Sequence, residues 1–296
     1  MPYEFSLPSF AKINWFLRVL GKREDGYHEL CTLFQTVSLH DTLHFAHSDR
    51  LELTCDDPSI PTDDRNLIIQ AAKLLSENGG TTKGAKIHLE KVIPSPGGLG
   101  GGSSNAAVAL IGIARLYELD LGAEDLYELA ARLGADVPFF LSGGRALGTG
   151  RGDTIEQVAD RQDQYLLIVT PDIAVSTALA FRELDADSLT NSERNNILSV
   201  CRNQANEVNT ESSFSNDLES TVFALNPEIA GIKTTLLDLG ARFAAMSGSG
   251  ASVFGSFDKE ETRQAAIKAL DLRSTWRKFA VATVSREEYA KALYSR

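Results

Sequence analysis

Five glycines crowd the six residues Gly97-Gly98-Leu99-Gly100-Gly101-Gly102, in a segment that opens with Pro94-Ser95-Pro96 and closes with Ser103-Ser104-Asn105. Glycine lets a backbone approach an anion closely and turn its N–H groups inward. An apolar helix, predicted from Ser103 to about Leu119, follows at once and aims its positive end at the same spot. Ser103, Ser104 and Asn105 supply caps and further donors. The chemistry that suits this combination is the cradling of a polyphosphate. A flexible Gly/Ser linker has a similar composition, but a linker does not run straight into an apolar helix. No Lys-Ser or Lys-Thr follows the glycines, and only Gly98 and Gly100 keep register with the dinucleotide-binding pattern, because position 103 is Ser. A second glycine loop, Met246-Ser247-Gly248-Ser249-Gly250-Ala251-Ser252, reads either as a plain hairpin turn or as a cover that closes over the same phosphates.

Thiol and metal chemistry find less support. Cys31, Cys55 and Cys201 are far apart, odd in number and form no CxxC pair, which fits free thiols in a reducing compartment. His28, His40, His44, His47 and His88 form no HExxH. The run Asp41-Thr42-Leu43-His44-Phe45 alternates like a strand, on which His40, His44 and His47 would not share a face. No metal site is expected. Lys plus Arg is 29 and Asp plus Glu is 40, a net charge of −11. Long nucleic acids need a basic surface, so this balance speaks against them as partners but not against one local nucleotide site. Hydrophobic residues at 43% supply a sizeable core. Met1-Pro2-Tyr3-Glu4-Phe5-Ser6 has no basic start before an apolar run, and no stretch approaches the ~20 apolar residues of a membrane span. A cytoplasmic chain without membrane partners is expected.

The elements that must position these residues follow from periodicity. Residues 12–20 alternate as a strand, with Ile13, Trp15, Leu17 and Val19 on one face. Gly21 to Gly26 is a charged loop. Strand-like runs follow at 32–39, 42–46, 50–55 and 85–93. Residues 66–77 read as a helix stopped by Gly79-Gly80. Leu126, Leu129, Ala130 and Leu133 have helical spacing, and Gly134 sits where a helix end favours a left-handed residue. Asp136 therefore lies in a turn, and Pro138 opens a short helix. Composition changes near residue 160, giving domains 1–160 and 161–296. Tyr165 to Thr170 is a buried-type strand, and the Asn/Ser-rich residues 185–216 read as irregular. A helix from Asn226-Pro227, with Ile229, Ile232, Leu236 and Leu239 inward, ends at Gly240. Strand 241–246, strand 252–257, helix 259–270 and strand 278–284 then complete a ferredoxin-like two-layer unit.

In order and spacing, Pro94–Ala107, Leu133-Gly134-Ala135-Asp136-Val137-Pro138 and Gly248-Ser249-Gly250-Ala251 resemble the three motifs of the GHMP kinase superfamily. Ala11-Lys12-Ile13-Asn14, Gly26-Tyr27-His28, Asn66-Leu67 and Asn216-Asp217-Leu218-Glu219 narrow the resemblance to the branch that phosphorylates a cytidine-diphosphate-linked methylerythritol in non-mevalonate isoprenoid synthesis. It runs from Ser6 to about Ser285 and is weakest over 185–213. It implies an α+β fold of two domains, an N-terminal α/β nucleotide-binding domain and a C-terminal ferredoxin-like domain, with the active site in the cleft between them. It also implies ATP as phosphoryl donor, Mg2+ travelling with the ATP, and the 2-hydroxyl of the sugar alcohol as acceptor.

Residue by residue, the resemblance makes Asp136 the base that takes the hydroxyl proton. Lys12 is the cation that holds hydroxyl and carboxylate and favours the developing alkoxide. Pro94 to Ser104, with Asn66, Lys91, Gly248 and Ser249, are the implied nucleotide site. Tyr27 and His28 match a cytosine-recognising pair, one giving a stacking face and the other a donor and an acceptor. Asn14 would add polar contacts, and Phe181 the opposing aromatic face. Ser104 is a candidate magnesium ligand, without further protein ligands. Two other readings stay open. A homoserine- or mevalonate-type relative would keep the glycine loops but lack Gly26-Tyr27-His28 as a base reader. A non-catalytic nucleic-acid-binding module could share the fold, but the acidic balance and the presence of both Lys12 and Asp136 speak against it. A monomer or a homodimer is compatible with the sequence.

Overall fold

The computed structural model describes residues 2–78, 83–162, 165–184, 191–206, 214–271 and 275–295. The Gly79-Gly80 helix stop and, within the weakly matching 185–213 stretch, residues 185–190 and 207–213 lie outside the described residues.

Two long strands, β1 (Phe5–Lys22) and β2 (His28–Ser48), form the spine of the first sheet. With β3 (Glu52–Cys55), β4 (Gly84–Glu90), β5 (Arg145–Gly150) and β6 (Thr154–Gln157) they give the order β3-β4-β2-β5-β6, with β1 paired antiparallel to β2. β2 is one strand where the sequence suggested two. A register shift between Phe10 and Ala11, opposite the break, explains the interrupted alternation. Helices α1 (Leu67–Glu77), α2 (Gly101–Leu116) and α3 (Ala123–Leu133) supply Ile68, Ala107, Leu110 and Leu129 to the core against Leu43 and Phe45. Gly134 has φ 166°, ordinary extended backbone rather than the left-handed cap expected from sequence. The short 3₁₀ helix Pro138–Leu141 starts on its proline, as the fixed φ of that ring favours.

The second sheet is antiparallel, in the order β10-β7-β9-β8, from β7 (Leu166–Thr170), β8 (Phe243–Met246), β9 (Val253–Ser256) and β10 (Arg277–Val281). Four short helical segments, α4 (Thr177–Arg182), α5 (Asn191–Asn206), α6 (Glu219–Leu225) and α7 (Pro227–Asp238), separate β7 from β8, and α8 (Glu260–Leu270) precedes β10. That order is the ferredoxin-like arrangement. Residues 191–206 are helical rather than irregular: Ile197, Leu198, Cys201 and Ala205 recur at helical spacing and pack on the core between the sheets. Leu239 is only partly buried, because it follows the last turn of α7.

β1 joins the two halves. The sequence suggested one buried face, yet its central residues are buried on both, since the second sheet covers the face that solvent would otherwise take. Trp15 meets Phe254 edge-on at 5.4 Å, and the Leu17 N–H donates to the Ser215 carbonyl at 3.0 Å. A last helix, α9 (Arg286–Tyr294), is not among those read from the sequence, although Ser285 and Glu288 form a capping box at its start. It returns to the first core, where Tyr289 donates to the Phe140 carbonyl at 2.6 Å. Thus β1–β6 fall within 1–160 and β7–β10 within 161–296, while α9 crosses back. Among the described residues no helix is long and apolar enough to cross a membrane.

Candidate active site

A cleft of about 900 Å³ is lined by β1, β2 and the first glycine loop on one side and by α4 and the second glycine loop on the other. Lys12 and Asn14, two residues apart on β1, project into it from one face. Lys12 Nζ donates to Asn14 Oδ1 at 2.6 Å and lies 3.4 Å from Asp136 Oδ2. The Lys12 side chain is 4% exposed and that of Asp136 34%, so the ammonium is built into the wall while the carboxylate opens to the cleft. Asn14 Nδ2 donates to Thr32 Oγ1, which donates to the Phe16 carbonyl, both at 2.7 Å. This chain fixes the amide so that its oxygen faces Lys12. Asp136 occupies the turn between α3 and the 3₁₀ helix, where the sequence placed it.

The glycine loop is pinned to the same strand, because Leu99 accepts the Lys12 N–H at 2.9 Å while its side chain is buried. Gly98 and Gly100 have φ 70° and 71°, where an L side chain is strained. A Cβ on Gly98 would fall 2.1 Å from the Ser247 carbonyl oxygen. One on Gly100 would fall 2.7 Å from the Phe140 ring and 3.0 Å from Lys12 Cγ. Gly100 is itself the N-cap of the 16-residue α2, with no side-chain cap. The capping expected of Ser103, Ser104 and Asn105 is therefore absent, for a reason visible in the packing. Ser104 is fully buried and accepts a hydrogen bond from Ser9 at 2.8 Å, and Asn105 turns to Asp41 at 3.1 Å. The first-turn N–H groups, which have no acceptor within the helix, are left to the loop side. Ser104, the candidate magnesium ligand, has no exposed surface and is not among the cleft's lining residues.

The second glycine loop touches the first. Ser247 Oγ donates to the Gly98 carbonyl at 2.9 Å, and the Ser252 N–H to the Gly97 carbonyl at 3.2 Å. Asn216 holds it from behind: its Nδ2 donates to the carbonyls of Met246 at 2.9 Å and Gly248 at 2.7 Å. Glu219 Oε1 accepts the Met246 N–H at 2.8 Å. Asn216 and Glu219 carried the resemblance by sequence, but their task in shaping this loop follows only from the fold. Ser249, whose Oγ lies 2.7 Å from Thr177 Oγ1, lines the cleft with Gly248.

At the far end, a turn at Gly26 presents Tyr27 and His28. The His28 and Phe181 rings stack at 5.2 Å and 25°, so Phe181 backs His28 directly. Tyr27 is 59% exposed, and the Arg151 guanidinium lies 5.2 Å from its ring centre. Burial, and secondly the charge of Lys22, push the His28 pKa down, which favours the neutral imidazole with one donor and one acceptor nitrogen.

Among the described residues the lining holds Lys12, Lys22, Arg132, Arg151 and Arg182 against a single carboxylate, Asp136. A cationic cleft on a chain of net charge −11 suits anionic ligands. It does not suit a divalent cation on protein ligands alone, which needs several oxygens. Of the other residues read as the nucleotide site, Pro96 lines the cleft, whereas Pro94, Ser95, Gly97, Gly101, Gly102 and Ser103 are not among its lining residues. Asn66 caps α1, its Oδ1 accepting the Ile68 N–H at 2.9 Å. Lys91 does not line the cleft, because its ammonium is turned inward to Asp41 at 2.9 Å.

Comparison with known proteins places the chain in a family. Residues 66–144 match the GHMP kinases N terminal domain, and residues 197–274 the GHMP kinases C terminal domain. The chain is 42% identical over 277 residues to a 4-diphosphocytidyl-2-C-methyl-D-erythritol kinase of Syntrophotalea carbinolica, covering 93% of this chain and 97% of that one. A crystal structure of 4-(cytidine 5'-diphospho)-2C-methyl-D-erythritol kinase superposes with a TM-score of 0.75 at 35% identity, covering 94% of this chain and 99% of that one. A homoserine kinase from Cytophaga hutchinsonii, at 20% identity and a TM-score of 0.68 over 96% of each chain, shares the fold.

Proposed function

This chain belongs to the 4-diphosphocytidyl-2-C-methyl-D-erythritol kinases of the GHMP kinase superfamily, and from that we infer that its cleft transfers the terminal phosphoryl group of ATP to the substrate's 2-hydroxyl, a step of isoprenoid precursor synthesis. The observation that carries the reading is the Lys12–Asp136 pair, which faces the cleft beside two interlocked glycine loops. Phosphoryl transfer asks for positioning, charge neutralisation and a group to receive the hydroxyl proton. Asp136 takes that proton as the substrate oxygen bonds to the γ-phosphorus and the bond to the β–γ bridging oxygen breaks, releasing ADP. Lys12 lies beside the oxygen on which negative charge develops. The bare N-terminus of α2 and the loop amides receive the phosphates. Magnesium would arrive with the ATP, since among the described residues the cleft lining holds one carboxylate, Asp136, and no step is assigned to the metal. The cytoplasm, a reducing compartment that supplies ATP, suits the unpaired Cys31, Cys55 and Cys201.

Tyr27 and His28 read the cytosine, and the His28–Phe181 stack holds the imidazole edge in place. His28→Ala leaves base atoms unpaired in a desolvated pocket, which costs about 1–3 kcal/mol. The specificity constant for the cytidylyl substrate should fall roughly 5- to 150-fold, since about 1.4 kcal/mol is tenfold. ATP affinity should hold. One His28→Ala preparation, measured for thermal midpoint, ATP affinity and specificity constant, decides this; an unchanged specificity constant would assign cytosine reading to other residues. The lowered His28 pKa has a signed consequence. As pH falls from the ordinary histidine value toward the lowered one, the unfolded chain takes up the proton first, so this residue's contribution to stability is lost over that window. Protonation also converts the acceptor nitrogen to a donor, so the specificity constant of the wild type should drop on acidification in a way that His28→Gln does not reproduce.

A further inference from the structure

Asp41 sits on β2 with no exposed surface, outside the cleft lining, and the chemistry above makes no use of it. A buried carboxylate persists only with strong partners. Those partners come from both ends of the phosphate loop. Upstream, Lys91 Nζ donates to its two oxygens at 3.1 and 2.9 Å, and the N–H groups of Val92 and Ile93 each donate to Oδ1 at 2.7 Å. Downstream, Asn105 Nδ2, near the start of α2, donates to Oδ2 at 3.1 Å. Lys91 also donates to the Ile93 carbonyl, and its side chain is only 5% exposed. The segment from Pro94 to Gly100 is therefore tied at both ends to one carboxylate on a rigid strand. Glycine-rich backbone loses more freedom than any other when it is ordered. A loop ordered before its ligand arrives keeps that loss out of the binding step.

We propose that Asp41 is a positioning residue for the nucleotide, presetting the phosphate loop, and that Lys91 serves as its counter-ion rather than as a contact to ATP. The inference rests on the reading that this loop cradles ATP. Its test is calorimetric titration of a non-hydrolysable ATP analogue into wild type, Asp41→Asn and Lys91→Met, with thermal midpoints and the KM for the cytidylyl substrate measured on the same preparations. Asp41→Asn should weaken analogue binding by about tenfold or more while the cytidylyl KM stays within about twofold. Lys91→Met should weaken it less, because Val92, Ile93 and Asn105 still hold the carboxylate. Equal losses for both ligands, an unchanged analogue affinity in folded Asp41→Asn, or a larger loss from Lys91→Met than from Asp41→Asn would each overturn the proposal. Should Asp41→Asn not fold, Asn105→Ala decides. A weakened analogue with an intact cytidylyl KM supports the staple, and an unchanged analogue affinity overturns it. A wild type that binds no analogue overturns the ATP reading itself, and is told apart from the other failures by that alone.

Discussion

Asp136→Asn should lower turnover at saturating substrates by about 10²- to 10⁴-fold, the usual worth of general-base assistance. The substitution keeps the shape of the side chain and removes its ability to take a proton. The carboxylate is one-third exposed, so solvent screens its ion pair with Lys12 and little stability is at stake. ATP affinity should barely change if, as proposed, the phosphates are held by the glycine loops. Lys12→Met should also slow turnover, and the two changes together should cost little more than the worse of them, since base and cation act as a unit. Steady-state kinetics and calorimetry on the two single variants and the double check this. An Asp136→Asn enzyme with more than about half of wild-type turnover would remove Asp136 from the role of base.

Gly100→Val should cost ATP binding by about tenfold or more, or roughly 1.4 kcal/mol. Position 100 has a left-handed φ of 71°, and the added Cβ would meet the Phe140 ring at 2.7 Å. A β-branched residue is a steric outlier there. Strain of this kind costs about 1–3 kcal/mol, so the thermal midpoint should fall as well. The backbone must move, and with it the first turn of α2 and the N–H groups proposed to meet the phosphates. Tyr27 and His28 lie at the far end of the cleft, so the cytidylyl substrate should still bind. Because Lys12 Cγ also lies 3.0 Å from the added atom, turnover would mix two effects, and binding is the cleaner measure. Calorimetry of a folded Gly100→Val protein with unaltered ATP affinity would count against the cradle.

Much of this was legible in the residues. The glycine loop running into an apolar helix, the Asp136 turn before Pro138 and the alternation that sets Lys12 beside Ile13 are local patterns, and the fold keeps them. What was not legible depends on partners distant in sequence. Asp41 reads as one polar residue in an alternating strand, and its donors arrive from residues 91–93 and from 105 only when β4 and α2 pack on β2. Ser104 and Asn105 read as caps, but tertiary partners at Ser9 and Asp41 outbid the helix end for them. β1 reads as half-buried because nothing in its own residues says that a second sheet will cover its other face. α5 was hidden by its Asn and Ser content, since only Ile197, Leu198, Cys201 and Ala205 carry the helical period. Lys91, which the resemblance placed at the nucleotide, turns its ammonium back to Asp41, a partner that its position before the glycine loop does not reveal.

The central claim is that this cleft phosphorylates a cytidylyl sugar alcohol and not the smaller acceptors used by relatives of the same fold. The direct measurement is ATP-dependent ADP release by the wild-type protein with 4-diphosphocytidyl-2-C-methyl-D-erythritol, homoserine or mevalonate as sole acceptor, with the phosphorylated position found by phosphorus NMR. The expected result is turnover with the cytidylyl substrate, phosphate on its 2-hydroxyl, and specificity constants for the other two lower by about 10³-fold or more, as lost base recognition and lost diphosphate neutralisation together require. Equal or better turnover with homoserine or mevalonate, or a phosphate on another hydroxyl, would contradict it.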